Sequence, residues 1–176
     1  MITLIARPVL GVALIALIIA SNRHIFRRIP SGPQVSEMEC VYYVIGVASV
    51  ALAWYFNVRY VSQYSTAWEN PVWGKGGWTD YVKLMFANPA ASAASQGFLV
   101  ANLLLLPLYT IVDGYRRGVR RPWLYFVSSW FIPFAFVWAF YLATVDRHRR
   151  LVACNAFDLT TGSADGRRPR KRFEMN

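Results

Sequence analysis

Four apolar stretches, three of them followed by a cluster of arginines, constrain this chain more than any other feature of its sequence. They cover residues 2–20, 40–58, 84–112 and 122–145. Arg7 is the single charge among them. A bilayer hydrocarbon core is about 30 Å thick and takes about 20 helical residues to cross. The spacing therefore predicts an all-α integral membrane protein with four transmembrane helices, at 2–20, 40–58, 90–112 and 122–145. These would form one domain over 1–150, followed by a basic extension over 151–176. The composition agrees with that division. The chain is 56% hydrophobic and 16% charged, yet its formal net charge is +10, so the charge must be segregated from the apolar runs. Disorder is excluded by the apolar share.

The first stretch opens without positive charge, unlike a secretory signal, so it is expected to be a retained helix or signal anchor. Small residues allow close helix approach in lipid, where tails supply no hydrophobic drive between helices. Gly46, Ser49 and Ala53 share one face of the second span. Ala91 and Ser95 belong to a small-residue surface on the third, and Asn102 with Gln96 is expected to form interhelical hydrogen bonds. Pro107 and Pro133 should kink the third and fourth spans.

The connections carry the rest of the information. Arg23, Arg27 and Arg28 follow the first span, and Arg116, Arg117, Arg120 and Arg121 follow the third. Arg167, Arg168, Arg170, Lys171 and Arg172 lie far out in the tail. Basic clusters of this kind attract anionic headgroups or acidic protein faces. No nucleic-acid-binding fold accompanies them. The connection 59–89 holds Trp68, Trp73 and Trp78, an interfacial aromatic belt. Val61, Tyr64 and Trp68 sit at the spacing of a short amphipathic helix. Thr79 is placed to cap a second short helix through Phe86. With four crossings both termini share a side, and the lysines and arginines near the spans divide seven against seven, so charge does not fix the orientation.

Chemical groups are sparse. His24 and His148 each follow a span, and a lone histidine there could ligate a pigment such as chlorophyll. They are not expected to act as a pair. Cys40 and Cys154 form no CxxC, so neither a zinc site nor a redox pair is expected. No nucleophile–base arrangement or phosphate loop is present, and no enzyme activity is expected. No ionisable residue stands at mid-span, where an ion-coupled transporter keeps one.

Three motifs point to a family. Phe86-Ala87-Asn88-Pro89 precedes a small-residue helix, an arginine-rich turn occupies 116–121, and Trp123-Leu124-Tyr125 opens the last helix. Over about 81–150 the chain resembles a family of short uncharacterised bacterial membrane proteins, known as a domain of unknown function. The resemblance implies a small membrane protein with three helices, to which the first span here is an addition, and no known reaction. It also implies an Asp in relatives where this chain has Asn102. The expected function is a non-catalytic accessory subunit of an energy-transducing membrane complex, photosynthetic or respiratory. Its partners would be other membrane subunits and lipids, without nucleic acid. It would need no cofactor, with lipid, chlorophyll or carotenoid as possible bound groups. A small transporter of a lipid or small molecule is the alternative. A bacterial inner or intracytoplasmic membrane is the expected location, with an organelle membrane as the alternative.

Overall fold

A computed structural model describes residues 2–30, 32–64 and 77–164. Within these residues the chain is all helical. The elements are α1 (Ile2–Ser21), α2 (Arg23–Phe26), α3 (Glu37–Tyr64), α4 (Trp78–Met85), α5 (Pro89–Val100), α6 (Leu106–Arg116), α7 (Trp123–Ser128) and α8 (Phe134–Ala164). A π-helical turn, Ala101–Leu105, joins α5 to α6 without a break.

The proline in the third stretch explains that turn. Pro107 has no N–H, and its ring crowds the carbonyl four residues back. The ladder widens just before it, and the Leu106 N–H reaches back five residues to the Ala101 carbonyl. The helix therefore continues through the proline with a local bulge. At its far end α6 stops in a Schellman motif. Gly118, at φ +73°, lets Val119 N–H bond the Gly114 carbonyl and its own N–H bond that of Tyr115. Asn88 caps the start of α5, accepting from the Ala91 N–H at 2.9 Å with Pro89 next in line.

Among the described residues two helices, not four, are long and apolar enough to cross a membrane: Glu37–Tyr64 and Pro89–Arg116. Ala6–Ser21 is a shorter apolar helix. The expected span 122–145 is two helices, because Ser129 to Pro133 form a turn between α7 and α8. Pro133 cannot donate to the ladder, and only twelve residues separate the start of α8 from Asp146. The charged run that was expected to lie beyond a span sits inside α8. Two smaller expectations also change. Val61 and Tyr64 are the last turn of α3, not a separate helix. Helix α4 begins behind Gly77 without a side-chain cap, so Thr79 does not cap it.

Antiparallel packing of α3 on α8 is the largest contact between elements. Gly46 permits it, since a Cβ there would stand 3.1 Å from the Phe136 ring. The core lies where α7 and α8 meet the ends of α1, α2 and α6. It centres on Tyr125, Tyr141, Ile18, Ile25, Leu106 and Val137. Tyr125 and Tyr141 meet edge to face at 5.1 Å, and the Tyr125 hydroxyl donates to Thr144 at 3.0 Å. The long flanks of α3 and α5–α6 stay outside this core. Only 6% of the apolar window of α3 is buried, and 17% of that of α5–α6.

Candidate functional site

The polar residues gather at one end of the bundle, where α1 ends, α3 starts, α6 ends and α8 passes its midpoint. Ser36 sets the arrangement. Its hydroxyl accepts from the Glu39 N–H at 3.0 Å, as an N-cap does, and donates to Asp146 Oδ2 at 2.6 Å. Glu39 thereby enters α3 with a fully buried carboxylate. That carboxylate accepts from Tyr43 at 2.9 Å, from Arg147 Nη1 at 3.2 Å and, in a short contact, from Arg150 Nη2. The other donors of Arg147 go to backbone: Nε to the Ile25 carbonyl at 3.1 Å, Nη1 to Gln34 at 2.8 Å and Nη2 to Arg27 at 3.1 Å. Arg150 Nη1 reaches the Pro33 carbonyl at 3.0 Å. One carboxylate and two guanidinium forks thus fasten α2, the segment 27–36 and α3 to α8. Charge-assisted bonds are the strong ones, and arginine's planar fork suits this multiple docking.

Two further groups close the same end. Asp113 accepts from Arg117 Nε at 2.6 Å and from the Tyr141 hydroxyl at 2.8 Å, tying α6 to α8. The Asp113 carboxylate in turn pushes the Arg117 guanidinium pKa up. Asn22 is fully buried and reads the backbone of Arg120 from both sides. Its Nδ2 donates to the Arg120 carbonyl at 3.0 Å and its Oδ1 accepts from the Arg120 N–H at 2.7 Å. Nδ2 also lies 2.9 Å from the Ile18 carbonyl.

His24 and His148, which follow different apolar stretches, are brought together. Their rings meet edge on at 6.4 Å between centroids, because α2 packs on α8. The sequence separation hides this contact. No group of three or more potential metal ligands occurs among the described residues. Burial holds the His148 pKa below its ordinary value, and the neighbouring His24 and Arg117 add to the effect. A histidine with a lowered folded pKa keeps its full contribution above the unfolded value of about 6.5 and loses it as pH falls below that. The melting temperature is therefore expected to drop between pH 7 and pH 5.5, and His148→Gln should flatten that slope. A wild-type profile that is flat over this range would contradict the assignment.

The other sequence-nominated residues are placed as follows. Gly46 is buried against α8, Ser49 donates to the Gly46 carbonyl at 2.7 Å, and Ala53, Ala91 and Ser95 are half-buried. Among the described residues neither Asn102 nor Gln96 makes the expected interhelical hydrogen bond. The Asn102 Oδ1 is buried in the π turn without a hydrogen-bond partner, and Gln96 is exposed. Arg116, Arg120 and Arg121 are exposed, and Arg117 is held by Asp113. Trp78 opens α4. Trp68, Trp73, Arg167, Arg168, Arg170, Lys171 and Arg172 lie outside the described residues.

Sequence reasoning missed Glu39, Arg147 and Asn22 as the organising residues. One signal was available for the first: Ser36-Glu37-Met38-Glu39 has the S-x-x-E spacing of a capping box. Here the glutamate turns to α8 instead of back to its own cap.

No curated protein and no solved structure matches this chain. A family model does match, over residues 41–147, which run from the first turns of α3 to the docked arginine of α8. The chain belongs to that family, described as protein of unknown function DUF2834.

Proposed function

We propose that the protein is a small integral membrane protein that acts as a non-catalytic docking subunit for other membrane proteins. The observation that carries this is the exposed apolar surface of α3 and α5–α6. Val47 is 65% exposed, Leu104 62% and Leu108 64%. A soluble protein rarely leaves contiguous apolar surface on this scale. In a bilayer, lipid or a neighbouring subunit covers it. The polar end ties both α3 and α6 to α8, so the two apolar flanks hang from one shared helix. An energy-transducing complex, photosynthetic or respiratory, is the setting we favour for such a subunit.

Asn102 supports a second reading, a small transporter. A buried acceptor without a partner, in a π turn beside Pro107, is a place where a passing ligand could bond.

Alkaline carbonate extraction and native electrophoresis in mild detergent test these readings. The protein should stay with the membrane pellet and co-migrate with a larger assembly, whose absorbance spectrum reports any pigment or haem. Release by carbonate would refute the membrane reading. A stable lone species would refute docking and favour transport.

A further inference from the structure

The fourth apolar stretch enters the bundle and leaves it at the same end. Helix α7 begins beside the end of α6, where a Cβ on Gly114 would stand 2.5 Å from Pro122 Cβ. The turn at 129–133 lies half-way down α1, where a Cβ on Gly11 would meet Ile132. Helix α8 then runs back alongside α7, and the Tyr125–Thr144 hydrogen bond joins the two. By Arg147 the chain is again beside Ile25, Arg27 and Gln34. Six residues of α7 descend about 9 Å at 1.5 Å per residue, and the turn adds a little more, which is about half of a 30 Å core.

Irregular backbone at that depth must satisfy its own polar groups. This turn does so. The N–H groups of Ser129, Trp130, Phe131 and Ile132 each find a carbonyl in the preceding turn of chain, and Pro133 has no N–H to satisfy. The Ser128 and Ser129 hydroxyls donate to the Leu124 and Phe126 carbonyls at 2.8 and 2.7 Å.

On the membrane reading, we infer that α7 and the first turns of α8 form a re-entrant hairpin, and that the chain crosses the bilayer three times: on α3, on α5–α6 and on α1, whose 20 residues reach about 30 Å although its apolar run Ala6–Ser21 is shorter than the other two. The arginine-rich end then faces the cytoplasm, against anionic phospholipid headgroups. The charge count carries the orientation. With four crossings it ties. With three, the three arginines in 23–28, the four in 116–121 and the three in 147–150 stand on one side. Only Arg7, Arg59, Lys75 and Lys83 belong to the other. Lysine and arginine near span ends favour the cytoplasmic side. The distal basic cluster follows α8 on the arginine-rich side and does not alter the sign. The N-terminus and the connection between α3 and α4 are placed opposite the C-terminus.

Single-cysteine variants of the full chain, in a Cys40→Ser, Cys154→Ser background, test this in intact bacterial cells with a membrane-impermeant maleimide. Ser65→Cys should be labelled from outside. Arg28→Cys and Val152→Cys should be labelled only after the membrane is opened. Labelling of Val152→Cys together with Ser65→Cys, opposite Arg28→Cys, would restore four crossings and overturn the hairpin. Arg28→Cys and Val152→Cys both labelled from outside would overturn the cytoplasmic assignment. Carbonate extraction of the same cells separates these results from failure of the membrane reading, which alone releases the protein. For the headgroup contact, phosphatidylglycerol should raise the melting temperature of the purified protein more than phosphatidylcholine does. Equal shifts would remove that contact from the proposal.

Discussion

Glu39→Ala is expected to destabilise the protein by about 3–5 kcal/mol, the usual cost of removing one member of a buried ion pair. The Glu39 side chain is 1% exposed, and those of Arg147 and Arg150 are 11% and 23%. Removal of the carboxylate leaves Arg147 with only backbone carbonyls as acceptors, and Arg150 with the Pro33 carbonyl and the Asp146 carboxylate, 3.4 Å from its Nε. In a domain of this size, that loss corresponds to a fall of about 6–20 °C in melting temperature. Glu39→Gln keeps an acceptor for Tyr43 but not the charge, so it should fall between wild type and alanine. Thermal unfolding of the three proteins in one detergent checks the order. A Glu39→Ala protein that melts with wild type would mean that water already solvates the pair.

Asn22→Leu should have the next largest effect. The side chain makes two bonds to the Arg120 backbone and a third to the Ile18 carbonyl. Leucine fills a similar volume but bonds none of them, and each polar group left unsatisfied away from water costs about 1–3 kcal/mol. The first connection would then part from the 117–122 loop. Hydrogen exchange at the Arg120 amide gives the local readout. Protection there should be lost in Asn22→Leu while amides near Thr144 in α8 keep theirs. Equal loss at both places would indicate global unfolding and refute a local role.

Helix type and approximate position were legible because hydrophobic runs have length, and length is written in the sequence. Asn88-Pro89 reads as the stop of a short helix through Phe86, and in the structure the same pair also starts α5, since one residue caps and the next tolerates the missing donor. The polar end was not legible, because its partners come from distant parts of the chain. Nothing local to Arg147 says that its fork will meet the carbonyls of residues 25, 27 and 34. The hairpin was missed for a different reason. Residues 122–145 are uncharged at the length of a span, and composition alone does not distinguish one crossing helix from two shorter ones folded back. The cue was Ser128-Ser129 placed before Pro133. Proline alone suggested a kink, as at Pro107. There the chain absorbs the proline in a π turn, whereas before Pro133 the Ser129 hydroxyl takes the Phe126 carbonyl and the Trp130 N–H turns to Val127 instead.

The order in which the chain is made adds a consequence to the Glu39 clamp. Glu39 and Arg147 are 108 residues apart, and Glu39 and Arg150 are 111 apart. At about 5–20 residues per second, a ribosome needs about 5–20 s to supply the first of these partners after the carboxylate has emerged. Throughout that interval α3 carries an acidic side chain with no arginine from α8 to meet it. The carboxylate must wait in water or among headgroups, and the first turn of α3 settles only when the last helix arrives. The polar end is thus the last part of the molecule to close, and a nascent chain stopped before Arg147 would hold its apolar helices without the fastening that fixes them.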